Sequence, residues 1–306
     1  MNSANLANSS TADSRRAYLL LIVTTWCWGC NALFGKIAVG EISPMLLVTL
    51  RWLGVVLLLL VFARRHFARD WPVLRQNLRY LALMGIAGFT AFNALFYISA
   101  HYTSAINIGI IQGSIPIFVI LGSYILYRIR ITRIQTIGIA VTLLGVMTVV
   151  SGGDLSQILD LSISRGDFLM LLACALYAGY SVGLIRRPAV SALALFTLLA
   201  AAAFVGSLPL LVIETLYQGF ALPSMTGWTI AILVTLLPSF VAQIFFIQGV
   251  SLIGPGRAGV FVNLVPVFAS IMAVLFLGES FELFHAVSLG LVLGGIGLSE
   301  IGKAKY

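Results

Sequence analysis

Long unbroken apolar runs alternate along the chain with short polar segments. A helix needs about 20 mostly apolar residues to cross a bilayer. Ten runs meet that length: 17–39, 45–63, 78–100, 104–127, 134–151, 166–185, 190–213, 227–249, 258–278 and 282–301. Barrel strands alternate apolar and polar residues over about 10 positions, and these runs do not, so a β-barrel is excluded. The longest gaps, 64–77 and 152–165, are loop-sized and leave no room for a soluble domain.

Composition agrees with the pattern. Of 306 residues, 60% are hydrophobic and 9% charged, against about 25% charged in soluble domains. There is too little polar material to cover a water-facing surface. The 29 glycines lie largely within the apolar runs and suit close helix packing in lipid. Cys27, Cys30 and Cys174 lie in apolar runs, so no disulfide framework is expected. Cys27 and Cys30 form a C-x-x-C without a second ligand pair and read as packing residues, leaving no metal site and no cofactor. Ser14-Arg15-Arg16 resembles a twin-arginine signal, but the apolar run behind it is too long and lacks an A-x-A site. It reads as a retained first span.

A net charge of +8 raises the question of nucleic acid, and the placement of the charges decides it. With the N-terminus in the cytoplasm, the inside segments hold Arg15, Arg16, Arg64, Arg65, Arg69, Arg75, Arg79, Arg128, Arg130, Arg133, Arg186, Arg187, Arg257, Lys303 and Lys305. The outside segments hold Glu41, Asp154, Asp160, Asp167, Glu214, Glu279 and Glu282, with Lys36 and Arg165 as their basic residues. That bias is the positive-inside signature of membrane topology, with no nucleic-acid partner implied. Both termini are then cytoplasmic.

Ten spans divide into five and five. The expected organisation is a cytoplasmic tail 1–16, a first repeat 17–151, an external linker 152–165, a second repeat 166–301 and a cytoplasmic tail 302–306. Five spans per half make the second half enter from the opposite side, and the loop charges show the inversion. The loop after the second span is basic (Arg64, Arg65, Arg69), while its partner after the seventh carries Glu214; Arg128, Arg130 and Arg133 after the fourth oppose Glu279 and Glu282 after the ninth. At a constant offset of 150, Pro116 meets Pro266, Asn93 meets Gln243, and Gly145 meets Gly295. Inverted repeats with a midplane site are a recurrent plan of secondary transporters. The expected fold is an all-α integral membrane protein of ten transmembrane helices in two inverted five-helix repeats.

Polar groups in hydrocarbon are costly and mark sites or interhelical bonds. Phe89, Asn93 and Tyr97 share a face of the third span, and Ser239, Gln243 and Phe246 one of the eighth. Trp28 and Asn31 share a face of the first, and Tyr177 and Tyr180 one of the sixth; Gln112 precedes Pro116, and Asn263 precedes Pro266. Converging on one cavity, Trp28, Tyr97, Tyr177 and Tyr180 would supply ring contacts, and Asn31, Asn93, Gln112, Gln243 and Asn263 hydrogen bonds. Pro116 and Pro266 each remove a backbone bond at mid-depth and are candidate hinges. No aspartate or glutamate lies mid-span, which points to a substrate of little net charge without carboxylate-based proton coupling. Arg51, about two turns into the second span, reads either as functional or as a snorkelling or carbonyl-bonded arginine.

Other motifs carry less. Gly109-x-x-x-Gly113 and Gly179-x-x-x-Gly183 suit helix packing. Gly179-Tyr180-Ser181-Val182-Gly183 fits the G-x-S-x-G of serine hydrolases, but Ser181 and His101 fall near opposite membrane faces. Gly254-Pro255-Gly256-Arg257-Ala258-Gly259 matches G-x-G-x-x-G without the strand that a dinucleotide site requires. No ATP-binding loop or zinc-protease motif occurs, so the chain is not expected to be an enzyme.

Trp26-x-Trp28-Gly29 in the first span, Pro116 and Pro266, Leu277-Gly278-Glu279, and the glycines of the last span (Gly290, Gly294, Gly295, Gly297) resemble the drug/metabolite transporter superfamily, specifically its EamA-type exporters. The resemblance covers the whole chain and is greatest to bacterial amino-acid exporters of that branch. It implies a multi-pass protein of the bacterial inner membrane, working as a monomer to export neutral, in particular aromatic, amino acids. Related branches carry nucleosides and other metabolites, which is the alternative in the same fold; an intramembrane serine hydrolase using Ser181 is the alternative in another class. Family members often carry a glutamate after the fourth span, where this chain has Arg128.

Overall fold

The computed structural model describes residues 3–154 and 164–302, and the regular elements within them are all helices. Most of the linker 152–165 and the C-terminal tail beyond Gly302, with Lys303 and Lys305, lie outside the described residues. Among the described residues ten helices are long and apolar enough to cross a bilayer: Asp13–Ile37, Pro44–Phe62, Leu78–Ser99, Ala105–Tyr127, Arg133–Val150, Arg165–Arg186, Ala192–Gln218, Met225–Ile253, Arg257–Leu277 and Leu283–Ile301. They are the first to tenth spans below. The 64–77 gap is not a plain loop: Arg64–Gln76 forms a helix with Leu74 buried and its arginines exposed.

Local signals set the helix ends. Ser104, Ser191 and Ser224 cap the fourth, seventh and eighth spans by accepting from Asn107, Ala194 and Gly227 N–H. The fifth and tenth spans open with reciprocal capping boxes, Thr132 with Gln135 and Glu282 with His285. These pairs lie 150 residues apart. So do Arg128 and Gly278, which end the fourth and ninth spans in left-handed backbone with φ 57° and 65°.

The helix contacts are also matched between halves. The first span packs on the eighth and ninth, and the sixth packs on the third and fourth. The second pairs with the seventh, the fourth with the ninth, and the fifth with the tenth. Exchanging the halves, first for sixth and so on, maps this set of neighbours onto itself. The fifth and tenth spans approach closest at glycine: a Cβ added to Gly295 would lie 2.6 Å from the Gly138 carbonyl oxygen. Such contact gives the dispersion gain that replaces the hydrophobic effect between helices in lipid.

The third and eighth spans each contain a widened π turn, Ile86–Ala91 and Thr235–Val241. In the eighth the cause is visible. Pro238 has no N–H to give the Val234 carbonyl, and the Ser239 hydroxyl donates to that carbonyl instead. The fourth and ninth spans are interrupted where the prolines stand. Ala105–Gln112 ends before Gly113 and Ser114, and Ile115–Tyr127 restarts with Pro116 as its second residue. In the ninth span, Val262–Leu264 is a 3₁₀ turn and Val265–Met272 restarts with Pro266 second. The candidate hinges thus stand at helix breaks: each proline occupies an early helical position, where a missing N–H costs little. Irregular backbone at membrane depth is tolerated where it lines a cavity.

Candidate functional site

These four irregular segments surround one cavity. It measures about 110 Å³ and is lined by Trp28 and Asn31, Arg51 and Trp52, Gly88, Phe89, Phe92 and Asn93 of the third span, Gln112, Gly113, Ile115 and Pro116, Tyr177, Phe196, and Pro238, Ser239, Gln243, Asn263 and Pro266. A larger cavity of about 560 Å³ adjoins it, sharing Trp28, Pro116, Tyr177, Phe196, Gln243 and Asn263. This second space runs to Arg187, Ser251 and Glu300. It therefore leads toward the end of the bundle that carries Arg186 and Arg187, here called the basic end.

The opposite, acidic end is tied by polar contacts. Lys36 Nζ donates to the carbonyls of Ala100 (3.0 Å) and Thr103 (2.9 Å). Glu279 accepts from Ala105 and Ile106 N–H at 2.8 and 3.0 Å, and Glu214 from Met45 N–H at 3.2 Å. Asp167 accepts from the Thr103 hydroxyl at 2.6 Å. Three of these anions face helix starts, where the backbone dipoles favour negative charge.

The walls are aromatic. Trp52 stacks on Phe89 with centroids 4.7 Å apart and planes 4° from parallel. Phe89 meets Tyr180, Phe92 meets Tyr177, and Tyr177 meets Tyr180, at 5.1, 5.1 and 5.4 Å. Trp28 lies 5.3 Å from Phe246 and donates from Nε1 to the Pro238 carbonyl at 3.0 Å. That bond fixes the first span to the eighth at its π turn. Gly88 lets Tyr180 reach the third span, since any Cβ there would overlap the Tyr180 ring.

The polar groups are few and unevenly satisfied. Asn93 Nδ2 donates to the Phe89 carbonyl at 2.6 Å, which fixes the amide's orientation and leaves buried Oδ1 without a partner. Gln112 Oε1 is likewise buried and unpaired. Arg51 is 6% exposed. Its Nη1 donates to Asn31 Oδ1 at 3.0 Å and to the Tyr97 hydroxyl at 2.5 Å, and the Tyr97 hydroxyl donates to Asn31 Oδ1 at 3.1 Å. Arg51 Nε has no partner. Arg69 and Asp70 form an ion pair at the basic end, outside the cavity.

Most of the site residues expected from sequence meet here. Trp28, Asn31, Asn93, Gln112, Tyr177, Gln243, Asn263, Pro116 and Pro266 line the smaller cavity, and Tyr180 the larger. Tyr97 lines neither cavity. It stands one turn beyond Asn93 toward the acidic end, is 2% exposed, and contacts Arg51 and Asn31 outside the lining. Arg51, left open by the sequence, is buried, bonds the side chains of Asn31 and Tyr97 rather than a backbone carbonyl, and lines the cavity. Trp52, Phe92 and Phe196 were not foreseen, since an aromatic residue in an apolar span carries no signal of which way it faces. Ser181 donates to the Tyr177 carbonyl at 2.9 Å and has no histidine bonded to it. Among the described residues no group of three or more His, Cys, Asp or Glu side chains is placed to hold a metal ion.

The family model of EamA-like transporters matches the chain twice, over residues 15–151 and 164–300. The chain belongs to this family. Each match spans one five-helix half, in keeping with the paired contacts above. The chain is 27% identical to the uncharacterized transporter YetK of Bacillus subtilis over 94% of this chain and 87% of that one. It is 27% identical to YyaM of the same organism, covering 91% and 92%, and 25% identical to the uncharacterized inner membrane transporter YedA of Escherichia coli K12, covering 90% and 88%. One solved crystal structure shares the fold with a TM-score of 0.63 at 17% identity, covering 92% of this chain and 96% of the other. The protein is thus a multi-pass membrane transporter of EamA type, not an enzyme.

Proposed function

We propose that this transporter exports neutral, in particular aromatic, amino acids across the inner membrane by alternating access. The observation that carries the reading is the cavity between the halves. Its rings offer stacking surfaces, its amides offer hydrogen bonds, and no carboxylate lines its inner part. A permanent cation would want a buried counter-charge there; a zwitterion does not.

The distribution of arginine and lysine makes the basic end cytoplasmic, with both termini on that side. The larger cavity then opens inward, and the contacts of Lys36, Glu214 and Glu279 close the outer face. This is the state that loads substrate from the cytoplasm. The halves 17–151 and 166–301 would rock about the site, bending at the breaks before Pro116 and Pro266. Asn93 and Gln243, at matched depth, would hold the substrate's polar end between them.

The test is a pair of substitutions. In folded, reconstituted protein, Asn93→Ala together with Gln243→Ala should lower amino-acid transport at least about tenfold, as expected when two substrate hydrogen bonds are lost. Unchanged kinetics would overturn the assignment of the site.

A further inference from the structure

The polar end of the inner cavity contains a cation without an anion. We propose that Arg51 is the carboxylate anchor of this site: the substrate's carboxylate pairs with its guanidinium, while the unpaired Asn93 Oδ1 and Gln112 Oε1 accept from the substrate's ammonium. The inference rests on the amino-acid reading above and deepens it by giving the substrate an orientation.

A guanidinium taken out of water is costly unless a counter-charge and hydrogen bonds replace its hydration. Arg51 is 6% exposed, and its bonded partners, Asn31 and Tyr97, are both neutral. They occupy Nη1 and hold the side chain from the acidic side; Nε is left without a partner. The planar guanidinium suits two parallel bonds to a carboxylate. Asn31 and Tyr97 are then positioning residues. The indole of Trp52 lies 5.6 Å from the guanidinium carbon and adds a face that tolerates the charge without neutralising it.

The acceptors have the opposite need. Asn93 is 3% exposed, and its amide cannot flip without placing Oδ1 against the Phe89 carbonyl. Its free oxygen, with Gln112 Oε1, asks for N–H donors, and an α-ammonium has three. Both line the same cavity as Arg51. The head group of an α-amino acid would thus sit in the inner cavity. Its side chain would point to the larger space walled by Tyr177, Tyr180 and Phe196.

The test uses the purified full chain and a panel of phenylalanine analogues competing for labelled phenylalanine. Phenylalaninol lacks the carboxylate and 3-phenylpropanoate lacks the ammonium. The wild type should bind phenylalaninol at least about 30-fold more weakly than phenylalanine, the loss expected when a buried charge pair loses one partner. Arg51→Gln should erase that difference, and Arg51→Lys should restore part of it. Equal binding of phenylalanine and phenylalaninol by the wild type would overturn the proposal, even if the variants fail to fold. So would the absence of binding by either carboxylate, measured directly by ligand-induced thermal stabilisation. Stabilisation by 3-phenylpropanoate and not by phenylalanine would uphold Arg51 as the anchor and overturn the amino-acid reading instead.

Discussion

Glu279 Oε1 accepts the backbone N–H of Ala105 at 2.8 Å, so the end of the ninth span is fastened to the start of the fourth. The Ile106 N–H joins the same carboxylate at 3.0 Å. The position 150 residues earlier is Ile129, which has no carboxylate to offer. The two ends of the bundle are therefore held unequally at this pair of spans: latched at the acidic end and unlatched at the basic end, where the larger cavity leads. A carboxylate on a helix start contributes roughly 0.3–1 kcal/mol, and more where water is partly excluded.

Removing that charge should loosen the acidic end. In Glu279→Gln, a single cysteine placed at Gln243 should become more reactive toward a membrane-impermeant maleimide added from the acidic side. The gain expected from about 1 kcal/mol is several-fold. Unchanged labelling would mean that the other contacts, such as that of Lys36, hold the end closed alone.

The contact of the fifth and tenth spans predicts a stability difference within one helix. Gly295→Leu places a side chain against the Gly138 carbonyl oxygen and Thr142. It should destabilise the detergent-solubilised protein by about 1–3 kcal/mol. Gly290, on the same helix, has no heavy atom within 4 Å of an added Cβ. Gly290→Ala should leave the melting temperature unchanged or slightly raised. Equal losses at both positions would show that the two spans do not meet at Gly295.

A pH effect follows from Asp70. Its carboxylate accepts from the Ser191 N–H at 2.7 Å and from Arg69 Nε at 2.8 Å, joining the Arg64–Gln76 helix to the start of the seventh span. The Arg69 guanidinium, with the Ser191 bond, holds the carboxyl below the usual carboxylate range. A group depressed in the folded state stabilises above its unfolded pKa and loses that contribution as pH falls below it. The difference in melting temperature between wild type and Asp70→Asn should therefore be constant from pH 8 to about 5. It should shrink once the pH drops below about 4, the unfolded carboxyl's value. A difference that shrinks near neutrality would assign the effect to another group.

The ten spans were readable because hydropathy alone sets which segments enter the bilayer, and the halves because Asn93 with Gln243 and Pro116 with Pro266 repeat at one spacing. The π turns were not readable, since they are a change in bonding rather than in composition, and the part Pro238 plays in one of them emerges only with the Ser239 bond. The Arg64–Gln76 helix was hidden by its polar sequence and by Pro72. Arg51 shows the sharpest limit. Its presence in an apolar span was plain, but only the rotation of the second span decides whether such a side chain meets lipid, headgroups or a cavity. Tyr97 shows the converse: its spacing from Asn93 was right, and its depth placed it behind Arg51 instead of in the lining.

The most direct measurement of the central claim is uptake into liposomes containing only the purified protein, comparing labelled phenylalanine, threonine, choline and uridine with and without a pH gradient. The cavity predicts saturable movement of the amino acids, no movement of choline or uridine, and no response to the gradient. Transport of choline or uridine in place of the amino acids would contradict it.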